Sequence, residues 1–427
     1  MSIFFLFGLF FLFLILGIPI AVALGASTFL TLVLYTPLSP IEISSMIFDK
    51  VEHYSLMAIP MFILAGALLS KGSSAKRIID FAQSMVGHLP GGLPMSAIFA
   101  SIIFAAVSGS SPATVVAIGS IMFSAIEKAG YPKKYAIGTI ATAGSLGILI
   151  PPSIILIVYG VTAEVSIGKL FIAGIIPGIM IGSFMMLVTY IGAKRLGFKR
   201  KEPASWKERW EKFKDAFWAL GTIFIVIGGI YGGIFTPTEA AAVSAIWALF
   251  VSLFIYKDLK VKEIWGVFLH AAKTTAMIMF IIANAMLFAH FLTLENIPQM
   301  ITNWMLSQHL GAISFLLFVN ILLFFAGDFM EPSAIIMIMV PLLLPVAKSL
   351  GIDPIHFGII ITINMELGMI TPPVGLNLFV TSGITKESLK NVIIYSLPWS
   401  MAILVGLLLV TYIPQISLWL PNMMYGR

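Results

Sequence analysis

The chain has 427 residues, of which 59% are hydrophobic and 10% charged, and its mean hydropathy is +1.04, so most of its length needs lipid around it rather than a water-facing globular shell. It contains no cysteine, which excludes disulfides, iron–sulfur clusters and thiol catalysis. The net charge of +6 comes from basic residues in short loops beside apolar spans, a distribution that suits anionic lipid and membrane topology and gives no reason to expect a nucleic-acid partner. Apolar segments recur from end to end and leave no room for a soluble domain, so a single all-α polytopic membrane domain is expected.

The opening MSIFFLFGLFFLFLILGIPIAVALG ends in a cleavage-like AVA, yet it has no Lys or Arg before Lys50 and its apolar run exceeds a signal core. It is expected to be a retained first span with a cytoplasmic N-terminus. Of the 25 Lys and Arg, 20 fall into five clusters, at 71–77, 128–134, 194–214, 257–262 and 386–390, and the positive-inside rule puts all five in the cytoplasm. After an amphipathic arm (71–89), the apolar stretch 93–128 must therefore start and finish on one face. Its halves, 93–107 and 115–127, have 15 and 13 residues, whereas a crossing needs about 20. This predicts a re-entrant hairpin with the tip SGSSPAT (108–114), tolerated at membrane depth only inside protein or beside a watery cavity. A helix over 134–161, broken by GILIPPS, then runs outward, and a span over 169–193 returns.

Residues 194–235 read as a basic interfacial loop plus an extra linking span. From 236 to 427 the plan recurs upside down: two spans, an outer arm (294–310), a hairpin (311–350) interrupted by GDFMEPS, a helix over 355–384 broken by GMITPPV, and a final span that leaves the C-terminus periplasmic. Pro112 to Pro151 is 39 residues and Pro332 to Pro372 is 40, so hairpin tip and helix break keep their spacing in 1–193 and 236–427 while the orientation inverts. Inverted repeats with discontinuous helices at the bilayer midplane are the sequence signature of a secondary transporter.

A Pro-Pro pair removes donors and frees backbone carbonyls, which are hard oxygen ligands. With the hydroxyls of Ser108, Ser110 and Ser111 in one half, and with Asp328 and Glu331 in the other, they offer a cage for a small monovalent cation. The half-helices beginning near Pro112 and Pro332 offer N-terminal N–H groups to an anion. No Arg lies in the predicted core, so an anion would be held by these dipoles together with Ser153, Thr371, Asn364, Asn377 and bound cation. A cap on the helix at Pro332 is the alternative reading of Glu331, and Glu366 reads as a ligand, a proton carrier or a structural group. Six scattered histidines give no metal-ligand spacing, AGSLG misses GxSxG by one residue, and no phosphate-binding GxxxxGK[ST] occurs, so metal, hydrolase and ATPase chemistry are not expected.

With these residues in hand, the sequence resembles the large membrane subunit of the tripartite ATP-independent periplasmic (TRAP) transporters. The blocks GGLPMSAIFASIIFAAVSGSSPATVVAIG, GTIATAGSLGILIPPS, GGIYGGIFTPTEAAAVSA, GDFMEPSAI and ELGMITPPVGLNLFV carry the likeness, which covers residues 17 to about 380. The resemblance implies an inverted-repeat, elevator-type, sodium-driven importer of an organic acid in the bacterial inner membrane, with Na+ as coupling ion and no organic cofactor. It also implies two partners, a small four-helix membrane subunit and a periplasmic substrate-binding protein. Carried onto this sequence, sodium would sit among Ser108, Gly109, Ser110 and Ser111 with Gly144, Gly147 and Pro151, and among Gly327, Asp328 and Glu331 with Gly368 and Thr371. Substrate would sit between the tips, Ser111, Pro112, Ala113 and Thr114 with Pro332 and Ser333, and the breaks, Pro373 included. A stand-alone symporter of the same superfamily is the alternative.

Overall fold

The computed structural model describes residues 1–307 and 311–426, and every regular element among them is helical. In the first half these are α1 (Ser2–Ile15), α2 (Ile20–Tyr35), α3 (Pro40–Val51), α4 (Ala58–Lys71), the arm α5 (Ser74–Val86), the hairpin α6 (Gly92–Ser108) and α7 (Ser111–Lys128), the broken helix α8 (Lys133–Ala143) and α9 (Ile154–Thr162), and α10 (Ile167–Arg195). The link is α11 (Trp206–Ile223), which continues through a π-turn into α12 (Gly229–Tyr231). The second half has α13 (Pro237–Phe250), α14 (Val261–Leu294), the arm α15 (Ile297–Ser307), the hairpin α16 (Ala312–Phe329) and α17 (Pro332–Ser349), the broken helix α18 (Pro354–Gly368) and α19 (Leu376–Thr385), α20 (Leu389–Tyr412) and α21 (Gln415–Tyr425). The last three residues of the expected outer arm, 308–310, lie outside the described residues.

Local chemistry sets several of these boundaries. In the TPTE turn, the Glu239 N–H donates to Thr236 Oγ1 and the Thr236 N–H donates to the Glu239 carboxylate at 2.8 Å, a reciprocal cap that starts α13 with Pro237 in the first turn. Gly109 takes φ +60 to end α6, where a Cβ would meet the Pro152 carbonyl oxygen at 2.7 Å. The basic loop and linking span merge into one continuous helix from Trp206 to Tyr231, because Ser205 caps it before the apolar face begins.

The inverted repeat is visible in three contacts between the broken helices. At one end, Lys133 at the start of α8 is ion-paired with Glu387 just beyond α19, at 2.6 Å. At the other end, the Tyr159 hydroxyl of α9 donates to the Pro354 carbonyl at the start of α18, at 2.5 Å. Midway, Ser145 and Glu366, equivalent positions 221 residues apart, are joined by a hydrogen bond of 2.9 Å. Each broken helix therefore begins beside the end of the other, and their middles meet on the pseudo-twofold axis. The hairpins obey the same relation: α7 packs on α19 and α17 packs on α9.

Helices sort into two bodies by what they touch. α1–α4 and α11–α14 pack among themselves, with α4 against α13 and α14 against α2 and α4. The hairpins, the broken helices, α10, α20 and α21 form the second body, and the arms α5 and α15 lie along α6 and α17. The hairpin arms α16 and α17 have 18 residues each and are long enough by composition to cross, so length does not mark this hairpin as a dip. Near its tip, the Gly327 backbone rests on Gly368 at the end of α18.

One expectation is corrected. In place of a single first span there are two short antiparallel helices, α1 and α2, reversing at Gly17–Pro19. The Phe5 and Tyr35 rings, at opposite ends of that sequence, are 5.4 Å apart, and Ser2 Oγ donates to the Glu295 carboxylate at 2.7 Å. The N-terminus thus shares the end of the molecule occupied by Glu295, a full length of α14 away from Lys71, whose neighbour Gly72 abuts Asp258. The glycine and proline at 17–19 explain the reversal; they lie within one apolar run, where composition gives no signal of a turn. Because the chain has no native cysteine, single-cysteine variants report cleanly. Cysteines at Ser2 and Asn296 are expected to react with an impermeant maleimide from one face and a cysteine at Lys71 from the other; labelling of positions 2 and 71 from the same face refutes the α1–α2 reversal.

Candidate solute site at the two breaks

Each break is a helix that unwinds where a hairpin tip crosses it. In the first, α8 tightens into a 3-10 turn over Gly144–Ile148 before Pro151 and Pro152; both Pro-Pro bonds of the chain, Pro151–Pro152 and Pro372–Pro373, are cis. The crossings require glycine. A Cβ on Gly147 would lie 2.7 Å from the Ser110 carbonyl oxygen and 2.9 Å from Ser111 Cα, and one on its repeat equivalent Gly368 would lie 2.7 Å from Gly327 Cα. Gly144 meets Val115 in the same way. The tips and breaks therefore approach to backbone contact, which brings main-chain oxygens of two segments together.

At the first tip the oxygens cluster. The Thr114 hydroxyl donates to the Ser110 carbonyl at 2.8 Å and lies 2.9 Å from Ser108 Oγ, all of it buried or nearly so. The Gly109 carbonyl accepts the Ile154 N–H, and Asn377 Nδ2 donates to Ser111 Oγ at 2.7 Å, tying this tip to the second broken helix. Ser110 enters the cluster through its carbonyl. At the second tip a carboxylate supplies the hard oxygen. Asp328 is buried, its Oδ1 has no hydrogen-bond partner among the described residues, and its carbonyl accepts the Val374 N–H at 3.0 Å. A buried carboxylate oxygen without a protein donor is satisfied by a cation, a proton or an ordered water. The residues therefore fit a small monovalent cation at each tip, by neutral oxygens at the first and by Asp328 at the second.

The two tips differ as anion sites. α7 starts at Ser111, and the Ser111 and Ala113 N–H groups carry no hydrogen bond, which leaves an open helix N-terminus. At α17 that position is filled from within: the Glu331 carboxylate accepts the Ser333 N–H at 2.9 Å, the Ala334 N–H at 3.3 Å and the Ser333 hydroxyl at 3.0 Å. Glu331 is thus the cap of α17, and the second tip presents no free N–H pair in this state.

A cavity of about 920 Å3 joins these features. Ser108, Gly109, Ser110, Ser111, Pro112, Ala113, Glu331, Pro332 and Ser333 line one side of it, and α4 and α14 form the other. Other residues singled out from the sequence lie off the cavity. Ser153 caps α9 and donates to the Ile148 carbonyl, Asn364 Nδ2 donates to Asn320 Oδ1 at 2.8 Å, and Thr371 donates to the Leu367 carbonyl at 2.5 Å. Thr114, Asn377, Gly144, Pro151, Gly327, Asp328 and Gly368 support the tips from behind, and Pro373 is exposed outside the cavity. Glu366 Oε2 has no hydrogen-bond partner among the described residues, and the residue is buried against Ser145, away from the cavity. The opposite wall was not anticipated from sequence: Gly66 of α4 backs directly onto the Ser108 carbonyl, and Lys262, Gly266, His270 and Thr274 of α14 face the same space. Their i, i+4 spacing was the available signal.

The comparisons with known proteins agree with this architecture. Residues 7–416 match the family model described as the tripartite ATP-independent periplasmic transporter, DctM component. The chain is 52% identical over 400 residues to the C4-dicarboxylate TRAP transporter large permease protein DctM of Pseudomonas aeruginosa, covering 94% of each chain. It is 48% identical to the DctM of Rhodobacter capsulatus, over 99% of this chain and 100% of the relative, and 36% identical to the sialic acid TRAP transporter large permease SiaM of Vibrio cholerae, over 88% of each. Among solved structures, the YdaH transporter of Alcanivorax borkumensis shares the fold with a TM-score of 0.59 at 14% identity, over 99% of both chains. The match runs through both hairpins and both breaks, and the chain belongs to the DctM family of TRAP transporter large permeases, multi-pass membrane subunits that work with a small subunit and a periplasmic binding protein.

Proposed function

We propose that this chain is the sodium-coupled permease subunit that imports a C4-dicarboxylate across the bacterial inner membrane, and that it does so by moving the hairpin body against the α1–α4 and α11–α14 body. The single observation that carries the reading is the first tip: an open helix N-terminus for a carboxylate beside a cluster of buried oxygens for a cation, both at the edge of one cavity. Cation and anion bound side by side offset each other's desolvation, so neither enters a half-built site easily. The substrate class is supported by the names of two relatives, C4-dicarboxylate DctM proteins at 52% and 48% identity. The moving body is supported by the partition of contacts, since the hairpins, breaks, α10 and α20 pack as one unit and meet the rest chiefly through α4, α14 and the two arms. The small membrane subunit is expected to have four helices, as the resemblance implies.

The periplasmic binding protein delivers substrate and the small subunit completes the membrane complex in this reading. In vesicles carrying both membrane subunits, succinate accumulation is expected to require a sodium gradient and the binding protein; uptake by this chain alone from free solution refutes the three-component reading.

Two substitutions test the cradle. Asp328→Asn removes the anionic oxygen at the second tip. Breaking one side of a buried charge pair costs about 2–5 kcal/mol, so sodium-dependent uptake is expected to fall at least about 30-fold while the melting temperature is kept. Wild-type sodium dependence in this variant removes Asp328 from the cation site. Gly147→Ala forces the first tip away from its break, and overpacking of about 1–3 kcal/mol predicts a loss of uptake of about fivefold or more. Gly383→Ala is the control, because a Cβ there meets nothing within 4 Å. An unimpaired Gly147→Ala contradicts the need for backbone contact at the crossing.

A further inference from the structure

The wall of the cavity that faces the tips carries charge that the cation and anion sites do not use. On α14, Lys262, Gly266, His270 and Thr274 recur every fourth residue and all line the cavity, so they form one stripe along it. Lys262 to Thr274 covers about 18 Å of helix at 1.5 Å per residue. On α4, Gly66 touches the Ser108 backbone at the first tip, and Lys71, five residues further on, lies about 7.5 Å along the helix from that contact. A lysine side chain spans most of that distance while keeping its ammonium in water.

The polar groups on this wall are unequal. Among the described residues neither Lys71 nor Lys262 is ion-paired, and both are exposed to the lumen. The acids on the cavity are both engaged as helix caps: Glu263 accepts the Lys260 N–H at 3.0 Å at the start of α14, and Glu331 caps α17. The hydroxyls of Ser70 and Thr274 donate to carbonyls of their own helices, at Gly66 and His270. What remains to donate into the lumen from this side is two ammonium groups and the His270 imidazole. Gly266, between Lys262 and His270, has nothing within 4 Å of where a Cβ would be, so the stripe is open to a solute along its length.

Resting on the transport reading above, we propose that Lys71, Lys262 and His270 form a second, stationary anion station on the α4–α14 wall, which takes a substrate carboxylate as it leaves the first tip toward the Lys71 face. The first tip binds a carboxylate by N–H dipoles together with a cation; once the cation leaves, the tip weakens and the two ammonium groups present the stronger field. The station lowers the barrier to release on that face and plays no part in delivery from the other. It is selective for carboxylates over neutral solutes of the same size, because it offers donors and charge and no uncommitted acid.

The test is succinate exchange in oriented vesicles holding the membrane complex, with half-saturation measured separately from the Lys71 face and from the face served by the binding protein. In Lys71→Gln/Lys262→Gln, and in His270→Ala combined with them, half-saturation from the Lys71 face is expected to rise about tenfold, so that its ratio to the other face rises by the same factor. Added salt is expected to raise the wild-type value on that face and to leave the variant's unchanged. Lys71→Arg/Lys262→Arg keeps the charges and is expected to restore the ratio, which separates the station from a folding defect. Lys273→Gln, on the same helix but off the cavity, leaves the ratio unchanged. An unaltered ratio in the glutamine variants overturns the station while leaving the transport reading standing. A wild-type complex that exchanges succinate from neither face overturns the transport reading itself, and is told apart because the unmodified protein fails.

Discussion

Everything in this molecule depends on the rule that irregular backbone at membrane depth must find its partners within the protein. Two helices are unwound by paired prolines, and each would leave carbonyls and amides without water to bind. The solution is to press a second segment against each break: the tip at Ser110 on Gly147, and the last turn of α16 at Gly327 on Gly368. Backbone contact at that distance admits no side chain, so glycine stands at equivalent places in both repeats. The same contact that satisfies the main chain gathers main-chain and hydroxyl oxygens away from water.

The frame is symmetric and the chemistry on it is not. Ser145 and Glu366 occupy equivalent positions and bond to each other across the axis, one a hydroxyl and the other a carboxyl. The first tip keeps its helix N-terminus open, whereas the second closes its own with Glu331. The first break is buried at Pro151 and Pro152, while Pro372 and Pro373 are exposed. An inverted repeat supplies two matching frames, and the side chains set on them make the two tips chemically different.

The two bodies have different tasks in this scheme. α4 and α14 form the wall that faces the tips, with Gly66 backing onto the Ser108 carbonyl and the stripe from Lys262 to Thr274 running along α14. The arm α5 is fixed to that body through the carboxylate of Asp258, which accepts from the N–H and hydroxyl of Ser73, and through Arg77 stacked 4.2 Å over the Tyr256 ring. Its other end lies along α6 and leads into Gly91, at φ +78. The arm is thus tied to both sets of helices.

Much of this was legible before any coordinates. Hydropathy, charge parity and the recurring proline spacing point to the membrane class, to the internal repeat and to helix pairs within 93–128 and 311–350, because each of these is a local or periodic constraint written in consecutive residues. What the tertiary structure decided is which polar groups are already engaged. Nothing local distinguishes Asn377, which holds Ser111 at the tip, from Asn364, which is held by Asn320 44 positions away. Glu331 could be read as ligand or cap until its acceptor geometry was seen. The reversal at Gly17–Pro19 and the stripe from Lys262 to Thr274 depend on helices 2 and 14 meeting partners distant in sequence, and a side chain's role at such a meeting is set by distance and by competing donors, which no stretch of sequence contains.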